Sequence, residues 1–299
     1  MRMERLARFV FPAMLLAAAG TAALMAQAGK VWTAAELFTR NVGTKEDQDT
    51  AFPPHKIIGN LYYVGTRSLG TFLIVTPQGD ILINSDYERT VPVIKSSVEK
   101  LGFKFTDIKI LLGSHAHGDH MEGDALAQEL SGAQVMAMAE DIPALQTMRT
   151  PSGKARPNYK VIHDGDKVTL GGTTLVAHLT PGHTRGCTTW TMRVVDGGKT
   201  YNVVIVGSPN VNAGYKLVNN TAYPQIAKDY EAGFKVLKSL PCDIFLGAHG
   251  SYYDMESKFA RLSKGGENPF VDPEGCRRYV EDREQAFRAE LKKQEDGTK

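Results

Sequence analysis

Between Lys56 and Ser85 the apolar positions come in short clusters: Ile57-Ile58, Leu61-Tyr62-Tyr63-Val64, Thr71-Phe72-Leu73-Ile74-Val75 and Ile81-Leu82-Ile83, separated by Gly and Asn. Short β-branched and aromatic runs broken by turn formers predict a β-meander. The period then changes. Ile94, Val98 and Leu101 fall at i, i+4 and i+7, and Gly102 supplies a stop, so a helix is expected over residues 91–101. Ile108-Lys109-Ile110-Leu111-Leu112 predicts a strand that ends abruptly at Gly113-Ser114-His115. A helix-strand-helix stretch reaches about Thr150, and Pro151-Ser152-Gly153-Lys154-Ala155-Arg156-Pro157 reads as a surface loop.

The second half repeats the theme. Strands are expected over 167–170, 173–179, 188–195 and 200–206, followed by a helix over 222–240 with Ile226, Tyr230, Phe234 and Leu237 on one face. A last strand, 243–246, leads to His249. Two similar β-plus-α layers packed sheet to sheet, with helices outside, account for this order. The expectation is an α/β protein with one domain over residues 29–299.

The start of the chain follows a different rule. Arg2, Arg5 and Arg8 precede a mostly apolar run over residues 9–25, and Ala26-Gln27-Ala28 gives a small-x-small cleavage pattern. Residues 1–28 therefore read as a secretory signal peptide cleaved after Ala28, placing the mature protein in the periplasm or outside the cell. A retained anchor is the alternative, against which the run is slightly short and is interrupted by Pro12, Gly20 and Thr21.

The 299 residues are 42% hydrophobic and 23% charged, an ordinary globular composition. The net charge of +2 is carried by those three arginines against Glu4, so the rest of the chain is close to neutral. Without a run of Lys or Arg there is no electrostatic reason to expect nucleic acid, or a membrane surface after cleavage, as a partner. A small-molecule ligand and a monomeric mature protein are expected. Three cysteines, Cys187, Cys242 and Cys276, could form one disulfide in an oxidising compartment and leave one thiol.

The chemistry concentrates in Ser114-His115-Ala116-His117-Gly118-Asp119-His120, where three imidazoles and a carboxylate crowd six positions at a strand's end. Histidine is a poor core filler, and ligand-type groups at this density suit a cation rather than packing. Thr180-Pro181-Gly182-His183-Thr184 and Gly247-Ala248-His249 each place a further histidine on a small-residue turn just after a predicted strand. Together these give six N/O donors without Cys, enough for two ligand sets of three and suited to two first-row divalent ions, zinc above all. Structural zinc has four closed protein ligands, whereas three per ion leave room for water, which favours a hydrolase over a non-catalytic zinc-binding module. No Ser-x-x-Lys, Ser-Asp-Asn or Lys-Thr-Gly set is present, which excludes a serine β-lactamase.

His-x-His-x-Asp-His, then Pro-Gly-His-Thr, then a strand-end His resembles the metallo-β-lactamase superfamily over most of the mature chain. The resemblance implies a four-layer αββα sandwich with the metal site at one edge of two mixed sheets. By motif, His115, His117 and His183 would hold the first zinc, and Asp119, His120 and His249 the second. Thioesterases, lactonases and phosphodiesterases share the first motif but end a later strand in Gly-Asp, where this chain has Val206-Gly207-Ser208. That serine resembles subclass B3 of the metallo-β-lactamases, as does the stretch Gly214-Tyr215-Lys216-Leu217 followed by Tyr223-Pro224.

The resemblance to that subclass implies a Cys242–Cys276 disulfide, with Cys187 a small buried hydrophobe. It also implies hydrolysis of the β-lactam ring of carbapenems, cephalosporins and penicillins by a metal-bound hydroxide, and hence antibiotic resistance. In that scheme Asp119 binds metal and orients the nucleophile, and Ser208 and Asn210 hydrogen-bond the carboxylate flanking the lactam nitrogen. An exported zinc hydrolase acting on another ester, lactone or thioester is the alternative. Many superfamily members end the third strand in Asp where this chain reads Ile83-Asn84-Ser85-Asp86, so either Asn84 replaces an outer carboxylate or Asp86 supplies it. His55, His163 and His178 match no motif and are read as structural. Trp32 and the 151–157 loop are candidate groove walls.

Overall fold

The computed structural model describes residues 31–297, so the signal peptide expected over 1–28 and the expected cleavage after Ala28 lie outside the described residues. The meander of the first half becomes β1 (His55–Ile58), β2 (Leu61–Tyr63), β3 (Phe72–Ile74) and β4 (Asp80–Ile83), paired antiparallel in sequence order. Parallel strands β5 (Ile108–Leu112), β6 (Gln134–Met138) and β7 (Lys160–Ile162) extend it to seven strands. The second sheet is built from β8 (Lys167–Leu170), β9 (Thr173–Leu179), β10 (Thr188–Asp196), β11 (Lys199–Val206) and β12 (Ile244–Gly247), in the order β12-β11-β10-β9-β8. Both sheets are mixed, since in the second β11 and β12 run parallel while its other neighbours are antiparallel.

The apolar faces of the two sheets close on one core that includes Tyr63, Phe72, Ile83, Trp190, Ile205 and Phe245. A second core lies between the first sheet and its outer helices, around Leu73, Val98, Leu111 and Val135. Those helices include α3 (Val91–Lys100), which buries Ile94 and Val98 as its spacing predicts, and α5 (Asp124–Ser131). On the far side α7 (Ile226–Ser239) buries Ile226, Tyr230, Phe234 and Leu237. It starts four residues later than expected because Asn220 Oδ1 accepts from the Tyr223 N–H and holds a turn ahead of it. The expected sandwich, with sheets face to face and helices outside, is the one observed.

Four helices carry no expectation from the apolar pattern. Two short ones, α1 (Ala34–Val42) and α2 (Lys45–Asp49), each start at a reciprocal capping box, Thr33 with Glu36 and Thr44 with Asp47. Beyond His249 come α8 (Met255–Leu262) and the long, charge-rich α9 (Pro273–Asp296). The Cys242–Cys276 disulfide ties the first turn of α9 to the approach to β12, and Cys187 is a buried free thiol. No helix of the described residues is long and apolar enough to cross a membrane.

Candidate metal centre

Strands β5, β9 and β12 end at the same edge of the sandwich, and the residues that follow them carry the donors. After β5 the chain turns through His115 and His117 into one helical turn, α4 (Gly118–Met121), which holds Asp119 and His120. The turn after β9 presents His183. Gly182 there has φ of 125°, and a Cβ would stand 2.5 Å from the ring of Tyr230, so glycine alone fits. His249 follows β12. Trp190, in β10 of the second sheet, donates from its indole N–H to the Gly113 carbonyl and locks the His115 loop to the opposite layer.

The rings of His115, His117 and His183 form a triangle with centroids 4.6–4.9 Å apart, each pair nearly perpendicular. Asp119 Oδ2 lies 3.3 Å from Nε2 of His120 and 3.6 Å from Nε2 of His249, and those two rings are 4.8 Å apart. His115 stands between the two groups, 4.3 Å from His120, and is close enough to serve either. The structure thus brings together all six donors expected from the sequence.

Their environment leaves them without protein partners where a cation would need them. Nε2 of His115 and Nδ1 of His120 are buried and unpartnered, and Nε2 of His120 meets only Asp119. His183 Nδ1 donates to the Asn210 carbonyl at 2.6 Å, which leaves Nε2 as the free lone pair. Tyr215 Oη lies 3.2 Å from Nε2 of His117 and donates to the His183 carbonyl at 3.0 Å. Burial, reinforced by neighbouring imidazoles, holds His115 and His183 well below the ordinary histidine range, and pushes His249 down to about 3. Burial alone would raise Asp119, but His120, His249 and His117 outweigh it and hold its carboxyl far below the usual range. Metal ligation requires deprotonated donors, which the depressed His115, His183 and His249 and the ionised Asp119 supply.

The outer partners settle the question of Asn84 and Asp86. Asn84 donates from its amide to the Gly70 carbonyl and accepts from the Ser114 N–H, so it orders backbone beside His115. Asp86 is the carboxylate within electrostatic reach of His120. It is fully buried, accepts from Thr71 Oγ1 at 2.7 Å and is pushed up by burial to about 7.

A cleft of about 400 Å³ opens over the donors, walled by Phe38 and Val42 of α1, Tyr87, Asn210, Tyr215 and Tyr252. Larger hollows beside Arg40 and on the outer face of the second sheet contain no convergent donor set among the described residues.

Ser208 sits beneath the cleft wall. It is only 1% exposed and does not line the cleft, because its hydroxyl lies beneath Asn210, accepting from the Asn210 N–H and side-chain amide and from Tyr252 Oη. Asn210 does line the cleft. Trp32 and the 151–157 loop are absent from the walls as well. Trp32 lies under the guanidinium of Arg40, and the loop is held against the far side of α4 by Arg156. His55 packs among Phe259, Phe270 and Tyr63, and His178 bonds Thr191, as structural residues do. His163 is exposed and lies outside the donor set.

Asp141 carries no local pattern that marks it, yet its two oxygens accept from Ala116 N–H, Thr184 Oγ1 and Gly186 N–H and so join the loops of His115 and His183. Only the three-dimensional approach of two distant turns reveals it.

No protein-family model matches the sequence. Solved structures do. The FEZ-1 metallo-β-lactamase from Legionella gormanii is 54% identical, with a TM-score of 0.79 over 83% of this chain and 98% of that one. BJP-1, a subclass B3 metallo-β-lactamase of Bradyrhizobium japonicum, is 38% identical, with a TM-score of 0.78 over 85% and 99% of the two chains. The class B3 di-zinc metallo-β-lactamase LRA-12 from an Alaskan soil metagenome is 31% identical, with a TM-score of 0.77 over 83% and 98%. With this identity, this coverage and a histidine-rich metal site at the shared sheet edge, the chain belongs to the subclass B3 metallo-β-lactamases, which are hydrolases.

Proposed function

We propose that the protein hydrolyses the β-lactam ring of antibiotics with two zinc ions, the first held by His115, His117 and His183 and the second by Asp119, His120 and His249. The observation that carries this reading is the gathering of five imidazoles, four of them buried, around one ionised carboxylate beneath a single open cleft lined by His117, Asp119, His183 and His249. The donor set suits zinc: imidazole and carboxylate, no thiolate, three donors per ion and an open side for water and substrate. When bound, zinc supplies Lewis acidity, polarising a carbonyl and making water nucleophilic near neutral pH.

The protein's own residues do the rest. Asp119, kept ionised, accepts a hydrogen bond from the attacking water and aims it. The Asn210 carbonyl fixes the tautomer of His183, and Tyr215 braces His117 and His183 from the cleft side. Phe38 and Val42 offer an apolar wall to the antibiotic's ring system, while the Asn210 amide donates inward to Ser208 Oγ and Tyr279 Oη and so braces the cleft wall rather than reaching the substrate. The signal-type residues 1–28 support export to the periplasm or beyond, and the mature chain is read as a monomer.

The test is hydrolysis of a carbapenem, a cephalosporin and a penicillin by the zinc-loaded mature protein, beside a lactone and a thioester. The lactams are expected to be turned over. Turnover of the lactone or thioester alone would overturn the substrate and leave the hydrolase.

A further inference from the structure

We infer that the two ligand sets are positioned by two separate buried clamps, Asp141 for the His115–His117–His183 set and Arg156 for the Asp119–His120–His249 set. This rests on the ligand reading above.

Asp141 is 3% exposed and follows β6, the neighbour of β5. Oδ2 accepts from Ala116 N–H and Thr184 Oγ1, both at 2.8 Å, and Oδ1 accepts from Gly186 N–H at 2.7 Å. Ala116 lies between His115 and His117, and Thr184 follows His183. One carboxylate therefore fixes both chain segments that supply the first set, and none of its bonds reaches α4.

Arg156 does the converse. The carbonyls of His120, Met121 and Glu122, at the end of α4, find few N–H donors within so short a helix to satisfy them. His120 O accepts from the backbone N–H groups of Ser85 and Asp86. Met121 O accepts from Arg156 Nη2 at 2.6 Å and Glu122 O from Nη1 at 3.0 Å. The Arg156 side chain is 7% exposed and is itself held by Asp124 at 3.2 Å, whose carboxylate also accepts from Tyr159 Oη and Ser85 Oγ. The guanidinium fork matches two successive carbonyls, which an ammonium cannot do. Asp119 and His120 thus ride on a turn gripped from behind by a residue of the 151–157 loop, and no bond of Arg156 reaches His115, His117 or His183.

Outer partners that orient ligands change metal affinity by about 10–100-fold. Separate clamps predict a double dissociation. Zinc is titrated into the metal-free mature protein and its Asp141→Asn and Arg156→Met variants against a competing chelator, with imidazole ¹⁵N signals of His183 and His249 reporting each site. Arg156→Met is expected to weaken binding reported by His249 about 10–100-fold and leave that reported by His183 unchanged, and Asp141→Asn to do the reverse. Arg156→Lys, which keeps charge and stem, is expected to recover part of the loss and serves where Arg156→Met does not fold. Equal weakening of both sites in each variant, or none in either, overturns the inference. Failure of the unsubstituted protein to bind zinc at both reporters would instead overturn the ligand reading.

Discussion

The Nδ1 of His183 donates to the backbone carbonyl of Asn210 across 2.6 Å. A carbonyl can only accept, so the proton sits on Nδ1 and the lone pair on Nε2 points at the rings of His115 and His117. The same residue that walls the cleft thereby sets the tautomer of His183, so cleft wall and candidate metal site share one piece of backbone.

That shared backbone makes His183 hard to replace. His183→Ala is expected to lower bound zinc from two ions toward one per chain, and turnover by roughly 100-fold or more, since a lost ligand costs at least what a lost outer partner does. Metal analysis after dialysis checks this, and two tightly retained ions would refute the assignment.

Ser208 acts on the site from beneath. Its hydroxyl accepts from Asn210 and Tyr252 in a fully buried position, so Ser208→Ala strands those donors. The expected cost is about 1–3 kcal/mol of unfolding free energy, together with a raised KM as Asn210 loses its support. Denaturant unfolding and steady-state kinetics on one cephalosporin measure both. An unchanged stability with a raised KM would instead return Ser208 to direct substrate contact.

Asp124 gives a pH dependence with a definite sign. Burial raises its carboxyl to about 6, a rise held back by Arg156, Ser85 and Tyr159, so the folded protein binds this proton more tightly than the unfolded chain. The group's contribution to stability is fully present below its ordinary range near 4, is lost as pH rises through about 6, and is constant above that. The stability difference between the unsubstituted protein and Asp124→Asn, taken from urea unfolding across this range, is expected to fall and then level off. A difference that grows with pH would contradict it.

The cysteines divide by role. Burial, with Asp141 nearby, pushes the Cys187 thiol up to about 12, so a thiol reagent near neutral pH is expected to leave the folded protein unmodified and to label one site once it is unfolded. Cys242→Ser with Cys276→Ser opens a link across a sequence separation of 34 and is expected to cost about 2–4 kcal/mol without loss of zinc. Loss of metal in that variant would show that α9 holds the site as well as the fold.

Much of this arrangement is legible in the chain because two periods and one dense motif carry it. The β-meander, the face of α7 and the strand-end placement of His115, His183 and His249 all follow from local pattern. Helix α1 is short and α2 is short and polar, and their capping boxes are visible only to a search for start signals rather than apolar stripes. Helix α9 is dominated by charge and packs through a few residues such as Tyr279 and Phe287. Asp141 and Arg156 escape local reading altogether, because each acts on backbone brought near by the fold. The inward turn of the Ser208 hydroxyl, onto Asn210 and Tyr252, escapes it for the same reason.

The most direct test is the rate of cephalosporin hydrolysis by the mature protein stripped of metal and then titrated with zinc. No turnover without metal, and recovery that is complete at two equivalents, is the predicted result. Undiminished turnover by zinc-free protein, or none by protein carrying both ions, would contradict the account.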